Sequence, residues 1–209
     1  MGSLKFREAV LDQFGFELTA TNAFEALKMR CLAHVFDPVR DYLDGLVWHG
    51  RPRVDRWLIE YCGAEDTALN RDFGRKVLLA AVRRVRQPGC KFDYILVLEG
   101  AQGVGKSSLL RLLAGEDNFS DTEILGARSR EQQELTRGVW IYEIAELAGL
   151  SRTEVKAVKL FASKQSDRAR AAYARDVTDR KRRGIFIATT NDDKYLRDTT
   201  GNRRFWPVR

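Results

Sequence analysis

Eight residues, Gly100-Ala-Gln-Gly-Val-Gly105-Lys106-Ser107, constrain what this chain can fold into more than any other stretch. They match G-x-x-x-x-G-K-[ST] and lie between an apolar run with β-branched and aromatic members, Phe92 to Leu98, and a segment of helical spacing, Ser107 to Leu113. A strand that feeds a glycine loop and then a helix lets backbone N–H groups close around phosphate oxygens. The glycines are needed because the loop must turn tightly and side chains would block the approach. Lys106 adds a point charge for the β and γ phosphates, and Ser107, in the first helical turn, offers a hydroxyl to Mg²⁺. The expected nucleotide-binding residues are therefore Gly100, Ala101, Gln102, Gly103, Val104, Gly105, Lys106, Ser107 and Ser108, with ATP and Mg²⁺ as ligands. The competing reading is a plain glycine turn capping a helix, and pattern, strand and helix together weigh against it.

Two further apolar runs, Val139 to Ile144 and Ile185 to Thr190, read as buried strands separated by helical or irregular stretches. Strands alternating with helices predict an α/β fold with a parallel sheet, whose ligands sit at the carboxyl ends of the strands. We assign the P-loop core to residues 91–209. Residues 1–90 read as a helical region, with helical spacing over Ala23 to Val35 and a face of Leu78, Leu79, Val82 and Val85. Asp37-Pro38, Asp44-Gly45 and His49-Gly50-Arg51-Pro52 break that region, and Pro88-Gly89 closes its last helix.

A site that hydrolyses a nucleotide needs one carboxylate to organise Mg²⁺ and another to polarise water. Val139-Trp-Ile-Tyr-Glu143-Ile-Ala-Glu146 supplies both acids; Glu143 is the metal candidate beside Ser107, and which of the two polarises water stays open. The two acids face opposite sides of a continuing strand and converge only if the chain turns after Glu143. An edge strand leading to a charged helix start is the alternative. Thr189-Thr190-Asn191 ends the third strand, where the Asn191 carboxamide can sense a γ-phosphate or simply cap a turn. Arg203 and Arg204 stand before an apolar, strand-like end, either as a surface pair or as a source of charge for a neighbour's transferring phosphoryl group.

The net charge of +7 is regional: from Gly149 onward there are 16 Lys and Arg against 7 Asp and Glu, whereas the remainder holds 20 against 22. A positive block on a folded chain suits a polyanion, since each cation that neutralises a phosphate releases counterions. The expected nucleic-acid contacts are Lys156, Lys159, Lys164, Arg168, Arg170, Arg175, Lys181 and Arg182, with Tyr173 among them as a ring for base stacking. Lys156 and Lys159, at i and i+3, share one helix face. A solvated face, or charge guarding the apolar strand Ile185 to Ala188, is the bland alternative.

Cys31, Cys62 and Cys90 are odd in number and widely spaced, which excludes a disulfide framework and reads as reduced core thiols. Cys31-Leu-Ala-His34 could form half a metal site, but His34 and His49 are the only histidines. No run approaches the roughly 20 apolar residues of a membrane helix, and no secretory leader opens the chain. A cytoplasmic protein is expected.

Taken together, Pro88-Gly-Cys-Lys-Phe-Asp-Tyr94, Leu98-Glu-Gly-Ala-Gln-Gly-Val-Gly-Lys-Ser107, Phe119-Ser-Asp121, Trp140-Ile-Tyr-Glu-Ile-Ala-Glu-Leu147 and Thr199-Thr-Gly-Asn-Arg-Arg-Phe-Trp-Pro-Val208 resemble the virulence-associated E family. Val39-Arg-Asp-Tyr-Leu and Trp48-His-Gly-Arg-Pro-Arg53 look like its lead-in, so the likeness runs from about residue 37 to the end. The resemblance implies the ATPase part of a phage or prophage replication protein, related to superfamily 3 helicases of the AAA+ group. It implies a homo-oligomeric ring moving on single-stranded DNA, often beside a primase. By that likeness Lys106 and Ser107 match the Walker A pair, Glu143 and Glu146 the Walker B region, Asn191 sensor 1, and Arg203 or Arg204 the arginine finger. The basic block falls where such helicases place a DNA-contacting hairpin, although Ala171-Ala172-Tyr173-Ala174 departs from the proline and glycine usual there. A nucleotide-binding switch or DNA-binding protein that does not unwind is the alternative.

Overall fold

The computed structural model describes residues 2–124, 126–170, 177–192 and 202–209. The chain divides into two compact units, Met1–Asp44 and Gly45–Arg209. The first contains α1 (Gly2–Phe14), α2 (Ala20–Ala33) and most of α3 (Pro38–Gly45). Thr19 caps α2 by accepting a hydrogen bond from the Asn22 N–H. Asp37 does the same for α3, so Asp37-Pro38 starts a helix as well as ending the preceding segment.

The second unit begins with α4 (Trp57–Cys62) and α5 (Ala68–Arg86). Both belong to the same compact unit as the sheet. The Trp140 indole N–H donates to the Ala81 carbonyl at 3.0 Å, tying α5 to the start of a central strand. The buried side of α5 is shifted from the expected one: Val85 is buried as read, and Leu78 and Val82 are half-buried. Val77, Ala80, Ala81, Arg84 and Val85 are buried, whereas Leu79 is exposed. Small residues bring α5 close to the sheet, which leaves the larger Leu79 outside.

Five parallel strands form the sheet: β1 (Ile95–Glu99), β2 (Phe119–Ser120), β3 (Ile141–Ile144), β6 (Ile185–Thr190) and β7 (Phe205–Val208), in the order β2-β3-β6-β1-β7. The crossovers include α6 (Lys106–Ala114), α7 (Ser129–Leu135) and α8 (Arg152–Ser163). Side chains alternate along each strand. Ile95, Val97, Tyr142, Ile144, Phe186 and Ala188 form a core with Val155, Val158, Phe161 and Ala162 of α8. Ile141, Glu143, Ile187 and Thr189 therefore face the opposite side, where α6 packs on β3. Each fully buried aliphatic side chain is worth about 1.5–3 kcal/mol.

An antiparallel hairpin, β4 (Ser166–Arg170) and β5 (Val177–Lys181), projects between α8 and β6. Its root is fastened by the Gly89 N–H donating to the Arg182 carbonyl and the Arg182 N–H donating to that of Gln165. The segment with Ala171 to Ala174, Tyr173 and Arg175 lies outside the described residues. The cysteines are free, but Cys31 is exposed and Cys62 and Cys90 half-buried, so none is a core thiol. Among the described residues no helix is long and apolar enough to cross a membrane.

Candidate phosphate-loop site

The loop after β1 holds its shape through two left-handed glycines, Gly103 at φ +82° and Gly105 at φ +90°. A side chain at either position would strain the backbone. Gly105 caps α6, and its carbonyl accepts from the Leu109 N–H. The Gly100 N–H donates to the Thr190 carbonyl at 3.2 Å, so the loop starts level with the end of β6.

A pocket of about 320 Å³ opens there, at the carboxyl ends of β1, β3 and β6. Gln102, Gly103, Gly105, Lys106, Ser107 and Ser108 line one side, and Glu146, Thr189, Thr190 and Asn191 the other. The Lys106 ammonium donates to the carbonyls of Gly100 at 2.6 Å and Ala101 at 2.8 Å and to the Asn191 carboxamide oxygen at 2.9 Å. Lysine and asparagine, 85 residues apart, thus meet over the loop. An incoming anion has three acceptors to replace at that ammonium.

Glu143 lies beneath the pocket at 2% exposure. Its Oε1 accepts from the Ser107 hydroxyl at 2.7 Å and from the Thr189 hydroxyl at 2.6 Å. Its Oε2 is buried and has no hydrogen-bond partner among the described residues. A buried carboxylate oxygen left this way is costly unless a cation, water or donor completes it. β3 ends at Ile144, and Glu146, two residues on, takes a left-handed conformation at φ 51° and lines the pocket. Glu146 is the sole non-glycine residue with positive φ among those described, and such backbone strain concentrates at functional sites.

Thr189 was visible in the sequence as part of a strand end, but its grip on Glu143 depends on the parallel register Glu143↔Ile187. Arg203 and Arg204 are not in this pocket. They precede β7, whose register Ile95↔Phe205 puts them beside the start of β1, while the loop follows its end.

The basic block divides. Lys156, Lys164, Arg168 and Lys181 are exposed. Arg170 ends β4, and Arg175 lies outside the described residues. Lys159 is buried at 7% exposure, with its ammonium 5.6 Å from the Phe205 ring centre, so it does not share an open face with Lys156. Arg182 is also buried: it binds both oxygens of Asp167 and the Phe161 carbonyl. These two are structural cations rather than nucleic-acid contacts, because burial on α8 and at the hairpin root removes them from solvent.

A five-stranded parallel sheet with helices and a glycine-loop pocket at its strand ends defines an α/β domain. The virulence-associated protein E-like domain matches residues 43–209, and the chain belongs to that family. No curated protein matches it. Similar solved structures include an A-form apo structure of the NrS-1 C-terminal region, 17% identical at a TM-score of 0.50, which covers 75% of this chain and 37% of that one. Another apo structure of that region is 16% identical at a TM-score of 0.48 and covers 75% and 38%. This chain thus spans a little over a third of their length, and at such identity the first likeness shows the fold alone.

Proposed function

We propose that this domain binds ATP with Mg²⁺ and hydrolyses it as the motor of a phage or prophage replication protein, acting as a homo-oligomeric helicase on single-stranded DNA. The observation that carries the reading is the Ser107–Glu143 contact at 2.7 Å, with the second carboxylate oxygen of Glu143 buried and unpartnered. One hydroxyl and one carboxylate suit Mg²⁺, which takes its remaining ligands from water and substrate phosphates. Ser107 and Glu143 would hold the ion, and its chemistry there is to neutralise charge on the phosphate oxygens.

This chain's own groups do the rest. The loop amides and the start of α6 bind the anion, and Lys106 moves from the Gly100 and Ala101 carbonyls to phosphate. Glu146 polarises the attacking water, and Asn191 reports on the γ-phosphate through its contact with Lys106. The exposed cations of the hairpin and α8 face the DNA, and Arg203 or Arg204 acts on a neighbour's nucleotide. Membership of the family and resemblance to superfamily 3 helicases support the replication role.

Calorimetric titration with ATP and Mg²⁺, paired with strand displacement on forked DNA, tests the proposal. The expected result is binding and turnover that Lys106→Ala abolishes. No association at millimolar ATP would overturn it, and binding with turnover but no unwinding would reduce it to a switch.

A further inference from the structure

Trp48 stands apart from the other tryptophans. Its indole is 76% exposed, whereas Trp57 and Trp140 are buried and Trp206 is stacked between Phe73 and Tyr94. The loop between α3 and α4 that carries it walls a pocket of about 460 Å³, lined by Trp48, His49, Arg51, Arg53, Asp55 and Arg75 together with apolar neighbours. That volume lies within the roughly 300–1,000 Å³ of small-ligand sites. The lining shares no residue with the pocket at the glycine loop.

The cations here differ from their neighbours. Arg56 pairs with Glu60 and Asp66, Arg71 with Asp66, and Arg75 with Asp72. Arg51 and Arg53 form no ion pair among the described residues; the Arg53 guanidinium meets only the His49 ring, at 2.7 Å. Two guanidinium groups outside any ion pair thus share this pocket with an exposed tryptophan, and Asp55 is the one acid in its lining. An acidic peptide would satisfy the charge and leave the ring bare, and an apolar partner would cover the ring and bury the charges. A single nucleic-acid strand offers a flat π-face and phosphates at neighbouring positions, which fits both.

We propose that this pocket is a second binding site for single-stranded nucleic acid, in which a base stacks on Trp48 and the adjoining phosphates meet Arg51 and Arg53. The proposal extends the single-stranded partner named above to another surface, and it needs neither the glycine loop nor the hairpin.

Tryptophan emission of the full chain tests it, with oligothymidylate, oligouridylate, an abasic deoxyribose-phosphate oligomer of equal length, and ATP as probes. The two base-bearing oligomers should quench emission saturably, and the abasic one should not. The quenching should vanish in Trp48→Phe and persist in Lys106→Ala, which separates this site from the ATP reading. Trp48→Ala should weaken oligomer binding about tenfold. Each of Arg51→Ala and Arg53→Ala should lower the salt slope by about 0.7. All three residues are exposed, so circular dichroism should show the variants folded as the parent. Absence of quenching, unchanged affinity and slope in these variants, or equal quenching by ATP would each overturn the proposal.

Discussion

Arg182 and Asp167 form a two-pronged ion pair, Nε to Oδ2 at 2.6 Å and Nη2 to Oδ1 at 2.8 Å, with both side chains less than a tenth exposed. The guanidinium also lies 3.9 Å from the Phe161 ring centre. The pair fixes the hairpin root against the end of α8. In sequence Arg182 is one of four consecutive cations, and only the fold separates it from its exposed neighbour Lys181.

Removing Arg182 strands a buried carboxylate, a change that costs about 3–5 kcal/mol. Urea unfolding of Arg182→Ala should show a loss of that order, whereas Lys181→Ala should stay within about 0.5 kcal/mol of the parent. A stable Arg182→Ala protein with weakened strand binding would instead give Arg182 a surface role.

The two acids of the pocket should separate in their effects. Glu143 holds the Ser107 hydroxyl and has the orphaned oxygen, so Glu143→Gln should weaken Mg²⁺-dependent ATP binding. Glu146 lines the pocket without sitting under the loop, so Glu146→Gln should bind ATP as the parent does and lower turnover by about 100-fold or more. Calorimetry beside phosphate release checks both, and the reverse pattern would exchange the roles.

Burial pushes the Cys62 thiol up to about 11, whereas Cys31 is exposed. At pH 8 only about one Cys62 in a thousand is thiolate, and the thiolate is the reactive form. Iodoacetamide at pH 8 should therefore label Cys31 first and Cys62 only after urea unfolding, as peptide mass mapping would show. The sign for stability follows. An unfolded thiol ionises near pH 8.5 while the native one keeps its proton to about 11, so the fold loses stability as pH rises through that interval.

Much of the site could be read from the sequence because it is built from local patterns. Gly103, Gly105, Lys106 and Ser107 are consecutive or nearly so, and the run Ile185 to Ala188 is apolar throughout, so the strand and the glycine loop are legible without neighbours. Burial of single charges is a different matter. Arg84 sits on a helix whose cations mostly face solvent, yet it is 1% exposed, and its contact with the Lys164 carbonyl spans 80 residues. Desolvation holds its guanidinium below the usual range. No spacing rule distinguishes Arg84 from Arg83, or Lys159 from Lys156, since the face that counts is set by what packs against it. Thr189 shows the same limit, because its role comes from register between β3 and β6.

The last prediction uses the distance between Arg203–Arg204 and the loop. These arginines flank the start of β1, and the loop follows its end, Glu99, a strand of five residues later. At about 3.3 Å per residue that is roughly 17 Å, too far for one chain's arginine to reach its own phosphates without rearrangement. On the proposed mechanism the nucleotide of one subunit is completed by the arginine of the next. Arg203→Ala with Arg204→Ala should then abolish hydrolysis while leaving ATP affinity near that of the parent, and Lys106→Ala should abolish both. Mixed in equal amounts, the two inactive proteins should recover part of the parent turnover, because some interfaces join an intact loop to an intact arginine pair. That recovery should rise with protein concentration. A mixture as inactive as its components, under conditions where the parent is active and assembled, would mean that the arginines serve their own chain or only its fold.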